Sequence, residues 1–144
     1  MNIDGYTIFC DDIREEVGGK RSFMGVYTGT LVIHGDFPVI LPKFCMSVSL
    51  ILERDIRKIE DYVLYVQLPG KEEHAFEADV KMKDVVKSVT DGRLNESDDG
   101  GLRIGANIII SPLQIDEPGF IRVRANQSGG AIMKLGSLKV VAAA

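Results

Sequence analysis

The chain has 144 residues, 45% hydrophobic and 26% charged, with 17 Lys and Arg against 21 Asp and Glu for a formal net charge of −4. That is one domain's length, and folding at this size removes roughly 70% of the unfolded surface from water, enough for a core without disulfide or metal staples. The composition excludes a disordered tail, a collagen-like repeat and a disulfide scaffold.

From the front, Tyr6 to Arg14 and Arg21 to Thr28 are predicted strands flanking Glu16-Val17-Gly18-Gly19-Lys20, a hairpin turn. Thr30 to Ile33 is a further short strand. Pro38 and Pro42 then impose an extended, poorly hydrogen-bonded crossing, since proline lacks an N–H and restricts its predecessor. In Phe44 to Leu52, Phe44, Met46, Val48, Leu50 and Leu52 point one way and Cys45, Ser47 and Ser49 the other, with Ile51 an apolar exception. Over Arg54–Asp61 the spacing of Leu52, Ile56, Ile59 and Val63 suits one or two helical turns.

Tyr62 to Leu68 alternates again, and Pro69-Gly70-Lys71 turns the chain into His74–Lys83. This is the clearest strand. His74, Phe76, Ala78, Val80 and Met82 share an apolar face against Glu77, Asp79, Lys81 and Lys83. Asp84 suits the cap of a short helix through Val89, although valines are stiff at χ1 and mediocre helix formers. Asp91-Gly92 and Asn95 to Gly101 form a polar, glycine-containing loop, its tip expected to be the most mobile internal segment. Asn107–Ile115, Phe120–Ala125 and Ala131–Val141 complete the set, separated by turns at Glu117-Pro118-Gly119 and Gly129-Gly130. The pattern predicts an all-β protein: a single antiparallel β-sandwich, immunoglobulin-like or similar, of about eight or nine strands with at most short helical turns. Residues 1–144 form one domain.

Chemistry is sparse. Cys10 and Cys45 read as two buried strand thiols, a disulfide between them being compatible with neighbouring strands but not indicated by spacing. His74 reads as a core or rim histidine on an apolar face, and His34 as a solvated loop residue. No Gly-x-Ser-x-Gly elbow is present. Gly18-Gly19-Lys20 is no phosphate loop, because Arg14 stands where its first glycine belongs and Arg21 follows the lysine. Zinc requires closely spaced Cys and His pairs that the chain lacks.

Asp91, Asn95, Glu96, Asp98 and Asp99 supply oxygen ligands in one loop but without EF-hand spacing, so a solvated acidic loop is the plainer reading. The densest polar cluster, Asp11-Asp12-Ile13-Arg14-Glu15-Glu16, enters the first hairpin. Adjacent strand residues face opposite ways, so Asp11 and Asp12 line one pocket only across a bulge. Pinning of a sheet corner, with Arg14 paired to a neighbouring carboxylate, is expected ahead of ligand binding. If a binding site exists, its residues are Asp11, Asp12 and Arg14 with Asn95, Asp98 and Asp99. No catalytic residue, metal ligand or cofactor is expected.

Basic residues are dispersed along the chain and Trp is absent, which argues against nucleic acid as a partner. No apolar run reaches the roughly 20 residues of a membrane span. The N-terminus carries neither the basic nor the apolar region of a secretory signal. The expected location is the cytosol, or a virion assembled in it.

Phe9-Cys10-Asp11-Asp12-Ile13-Arg14-Glu15-Glu16-Val17-Gly18-Gly19-Lys20, followed by Phe23-Met24-Gly25-Val26-Tyr27, resembles the opening of an uncharacterised family of small bacterial and phage-borne proteins. The likeness continues more faintly through Phe37-Pro38, Leu41-Pro42-Lys43, Pro118 to Val123 and Gly136 to Val140. It implies a bacterial or prophage setting and a single β-domain, and carries no activity or site residue with it.

Three functions follow in order. The first is a non-enzymatic module that binds a protein partner or assembles with itself as a homo-oligomer, suggested by apolar residues at outward positions: Ile51, Val63, Tyr65 and Ile109. The second is a small-ligand-sequestering protein of phage or bacterial origin. The third, a metal-assisted hydrolase, is poorly served by two isolated histidines.

Overall fold

The computed structural model describes residues 3–52, 60–90, 102–127 and 130–144. The helical turns expected at Arg54–Asp61, apart from Glu60 and Asp61, and the polar loop at Asp91–Gly101 lie outside the described residues. In chain order the elements are β1 (Ile3–Glu15), β2 (Arg21–Val26), β3 (Thr30–Ile33), β4 (Val39–Leu41), β5 (Phe44–Leu52), β6 (Tyr62–Gln67), β7 (His74–Val80), α1 (Met82–Thr90), β8 (Leu102–Ile110), β9 (Leu113–Ile115), β10 (Gly119–Gln127) and β11 (Ile132–Ala142). The chain is all-β in class, with one short helix among the described residues.

The strands form a four-stranded sheet ordered β2-β1-β5-β8, a five-stranded sheet ordered β3-β11-β10-β6-β7, and a ribbon of β4 with β9. Alternation decides what each face does. From the first sheet Phe9, Phe44, Met46, Val48, Leu50 and Leu52 turn inward; from the second come Leu64, Val66, Ile121, Val123, Leu135 and Leu138. All of them join one apolar core. The arrangement is sandwich-like. At one seam β1 and β11 run close together, and the Thr7 hydroxyl donates to the Leu135 carbonyl at 2.9 Å.

Three local features depart from the sequence reading. Pro38 and Pro42 bracket rather than prevent a strand: Val39, Ile40 and Leu41 keep their N–H groups and pair with Ile115, Gln114 and Leu113. The stretch 107–115 divides at Ser111-Pro112 into β8 and β9, the Ser111 hydroxyl donating to the Pro42 carbonyl at 2.7 Å. These two changes raise the described strands to eleven. The strand at His74 stops at Val80, and Met82 instead begins a helix of nine residues.

His74 corrects the sequence reading most clearly. It does not open the apolar face. A register shift between Val66 and Gln67 rotates it outward, where its ring stacks on Tyr65 with centroids 4.0 Å apart. One pairing is parallel, β3 with β11, so the second sheet is mixed rather than purely antiparallel.

Candidate functional site

The sequence singled out the corner where β1 enters its hairpin. That hairpin forms as expected: Glu16 N–H donates to Lys20 C=O at 2.7 Å, and Gly18 and Gly19 take φ of 85° and 74°, which glycine adopts without a Cβ penalty. Pleating then separates the two aspartates. Asp11 lies on the core side, where it accepts the Tyr27 hydroxyl at 2.5 Å; Tyr27 packs against Phe44, and Phe44 against Phe9. Burial, then the Asp11 carboxylate, pushes the Tyr27 phenol well above its ordinary value.

Asp12 lies on the outer face. Its Oδ1 accepts Lys43 Nζ at 2.6 Å and Ile13 N–H at 3.0 Å, and its Oδ2 accepts Arg14 Nε at 3.4 Å. Lys43 first, with Arg14 behind it, holds the Asp12 carboxyl below the usual range, and Asp12 raises Lys43 in return. Asp11, Asp12 and Arg14 each have a side-chain partner among the described residues, which is the arrangement of a pinned corner. Asp11 does not share a pocket with Asp12 and Arg14. Asn95, Asp98 and Asp99 lie outside the described residues.

Two partners of this corner were not anticipated, Lys43 and Tyr27. Lys43 was legible by parity: it stands two residues before Cys45 and so shares the outer face of β5. Tyr27 was not, because it lies just past β2 and reaches Asp11 only through that hairpin's register.

Beneath the cluster the two cysteines face each other directly, Cys10 opposite Cys45 across β1 and β5. Both are reduced thiols with no exposed surface. Burial, then Cys45, pushes the Cys10 thiol up to about 11; burial also raises Cys45, whose Sγ–H donates to the Asp11 carbonyl at 3.6 Å. Neither is a nucleophile near neutral pH.

Register extends this pair into a row across the outer face of the four-stranded sheet: Val26, Cys10, Cys45, Ile109. The ends are open, Val26 at 48% and Ile109 at 53% exposure. Met24, Tyr6 and Ile51 are exposed on the same face, with Ser47 and Asn107 between them. Of the outward apolar residues noted in the sequence, Ile51 and Ile109 belong here. Val63 and Tyr65 are half-buried on the other sheet.

Two of the surface clefts are lined by described residues. One, of about 550 Å³, is lined by Glu60, Asp61, Asp79, Lys81, Asn126 and Gln127 among others, with Tyr62 beside it. The Tyr62 hydroxyl is buried without a partner among the described residues, and burial pushes its phenol up to about 12. The other, of about 510 Å³, follows the seam between β1 and β11 past Thr7, Tyr27 and Gly136. Asp11, Asp12 and Arg14 line neither. Among the described residues no three Cys, His, Asp or Glu side chains come together as a metal site would require, and no helix is long and apolar enough to cross a membrane. No protein-family model matches the chain, and no curated protein sequence matches it.

Proposed function

We propose that the protein is a non-enzymatic β-module that works by association, either with copies of itself or with a protein partner, through the outer face of its four-stranded sheet. One observation carries the reading: Val26, Met24, Tyr6, Ile51 and Ile109 lie exposed together on one pleated face, two of them at the ends of the buried Cys10–Cys45 row. Alternation normally gives such a face to polar residues, and a grouping of apolar side chains there is the mark of a surface that something covers. The chemistry points the same way. His34 is exposed in a loop, His74 is stacked on Tyr65 and bonded to Glu77, and both thiols are buried. The bacterial or phage setting rests on the likeness carried by residues 9–27, and an immunoglobulin-like topology is the finer form of the fold proposed with it.

Sedimentation velocity over a concentration series tests self-association, with Val26→Glu/Ile109→Glu as the disrupting variant. Expected is a concentration-dependent shift to a larger species that the double variant abolishes while keeping its β-type circular dichroism. A monomer at every concentration, with no loss of binding to any captured protein in the double variant, overturns the proposal.

A further inference from the structure

Strand pairing gathers charges that the sequence scatters. Arg122 and Arg124 alternate with buried Ile121, Val123 and Ala125, so both sit on the outer face of β10, about 7 Å apart along the strand. On one side, register sets Lys134 opposite Arg124 and Lys139 opposite Phe120. On the other it sets Tyr65 opposite Arg124 and Gln67 opposite Arg122. Among the described residues none of these four cations pairs with a carboxylate. Among the described residues the carboxylates on the strands of this face, Glu77 and Asp79, stand on the edge strand β7, and Glu77 is engaged by His74 at 3.1 Å.

Arg124 is the telling member. Its Nη1 donates to the carbonyls of Val123 and Gly136, at 2.8 and 3.0 Å, where the register shifts between Val123 and Arg124. Those bonds fix the guanidinium but do not neutralise it. Burial, and then the charge of Arg122, hold its pKa below the usual arginine value. A half-buried cation is thus kept beside a second one with no carboxylate paired to it among the described residues.

Flat π-faces are interleaved with the charges. The Arg122 guanidinium lies 5.4 Å from the centroid of the Phe120 ring, which is 40% exposed. The Tyr65 and His74 rings stack within 10° of parallel.

We propose that the outer face of the five-stranded sheet binds single-stranded nucleic acid. Its phosphates would meet Arg122, Arg124, Lys134 and Lys139, and its bases would stack on Phe120 and on the Tyr65–His74 pair. Cationic tracks interleaved with aromatic platforms are how sheet surfaces hold single strands. An acidic polypeptide would use the cations and leave the rings idle. A duplex needs an element that enters a groove, and among the described residues this face offers none. The expectation against nucleic acid rested on basic residues being dispersed along the chain and on the absence of Trp; register removes the first ground, and Phe120, Tyr65 and His74 supply the ring faces. The net charge of −4 is not an obstacle either, because salt screens beyond roughly 8 Å and the patch acts at contact. This proposal uses the face opposite the apolar one and stands independently of the association reading.

The test is fluorescence anisotropy with labelled oligothymidylate and oligouridylate of about 20 nucleotides, long enough to span one sheet. With four phosphate contacts, affinity should fall roughly fifty-fold as salt rises from about 50 to about 200 mM. Arg122→Glu/Lys139→Glu should weaken binding at least tenfold, and Phe120→Ala several-fold at unchanged charge. Lys20→Glu, in the remote hairpin, should change nothing. Circular dichroism and thermal midpoints establish that each variant is folded, and Phe120, being exposed, is the aromatic position safest to truncate. The proposal is overturned by lack of saturable binding at low salt, by binding indifferent to the charge reversals or to Phe120→Ala, or by polyglutamate competing as well as the oligonucleotides.

Discussion

Gly25 sits in the left-handed region at φ 66°, and a Cβ built there would collide with the Asp11 carboxylate. That carboxylate holds the Tyr27 hydroxyl, so one backbone position governs both the turn of β2 and the hydrogen bond at the rim of the core. Gly25→Ala should therefore destabilise the fold by about 2 kcal/mol: 1–2 for the left-handed backbone, with the displaced carboxylate added. Urea denaturation measures it, and Asp11→Ala in the Gly25→Ala background should then cost less than Asp11→Ala alone. A loss below about 0.5 kcal/mol for the glycine variant would mean that β2 relaxes out of the strained conformation.

At the scale of elements, α1 illustrates how a helix start can be hidden from local reading. Asp84 is the obvious acidic candidate, yet it falls at the third helical position, where its N–H turns back to the Lys81 carbonyl at 3.0 Å. The free N–H of Met82 is met by Asp61, which accepts at 2.8 Å from the start of β6, across the sheet end. Asp61→Ala should lower stability by about 1 kcal/mol, and Asp61→Asn should recover most of it, since either oxygen can accept. Equal losses in urea denaturation for the two variants would shift the role to the ion pair with Lys81. The same non-local logic explains the other departures. His74 alternates correctly with its neighbours in sequence, but a bulge against β6 turns it out. Val39–Leu41 looks like a mere crossing between prolines until β9 arrives to pair with it. Alternation within a strand was readable at β5, β6 and β10, because it depends on that strand alone. Register, bulges and long-range caps were not, because each depends on a segment far away in the chain.

For the whole molecule, the titrating groups define a window of stability. The Cys10 thiol is raised from 9.0 to about 11, and the Tyr62 phenol from 10.0 to about 12. Both keep their protons in the folded state at a pH where the unfolded chain has released them. Their contribution is therefore complete below about pH 9 and drains away as pH climbs through 11 to 12. Asp12 works in the opposite sense. Its lowered pKa adds stability above 3.8 that is lost as pH falls below that value. Urea midpoints across pH should show a plateau with both shoulders. Replacing the thiols together, Cys10→Ala/Cys45→Ala, should delay the alkaline fall to about pH 10, where Tyr62 takes over. An unchanged alkaline limb would show that the sulfurs contribute nothing to it. At this scale the class of fold was legible from period-two patterning, and so was the pinned corner at Asp12 and Arg14. The gathering of Arg122, Arg124, Lys134 and Lys139 was not, since it exists only once β10 and β11 are aligned.

The position of β11 has a consequence for how the chain is made. It is made after every other described strand, yet it lies in the interior of its sheet, between the edge strand β3 and β10. Until it emerges from the ribosome, the flanks of β3 and β10 that will receive it remain open, each a template for pairing with a neighbouring nascent chain. Co-translational folding can complete the four-stranded layer, but the other layer must wait. Helper proteins that shield bare strand edges would be needed most during that interval.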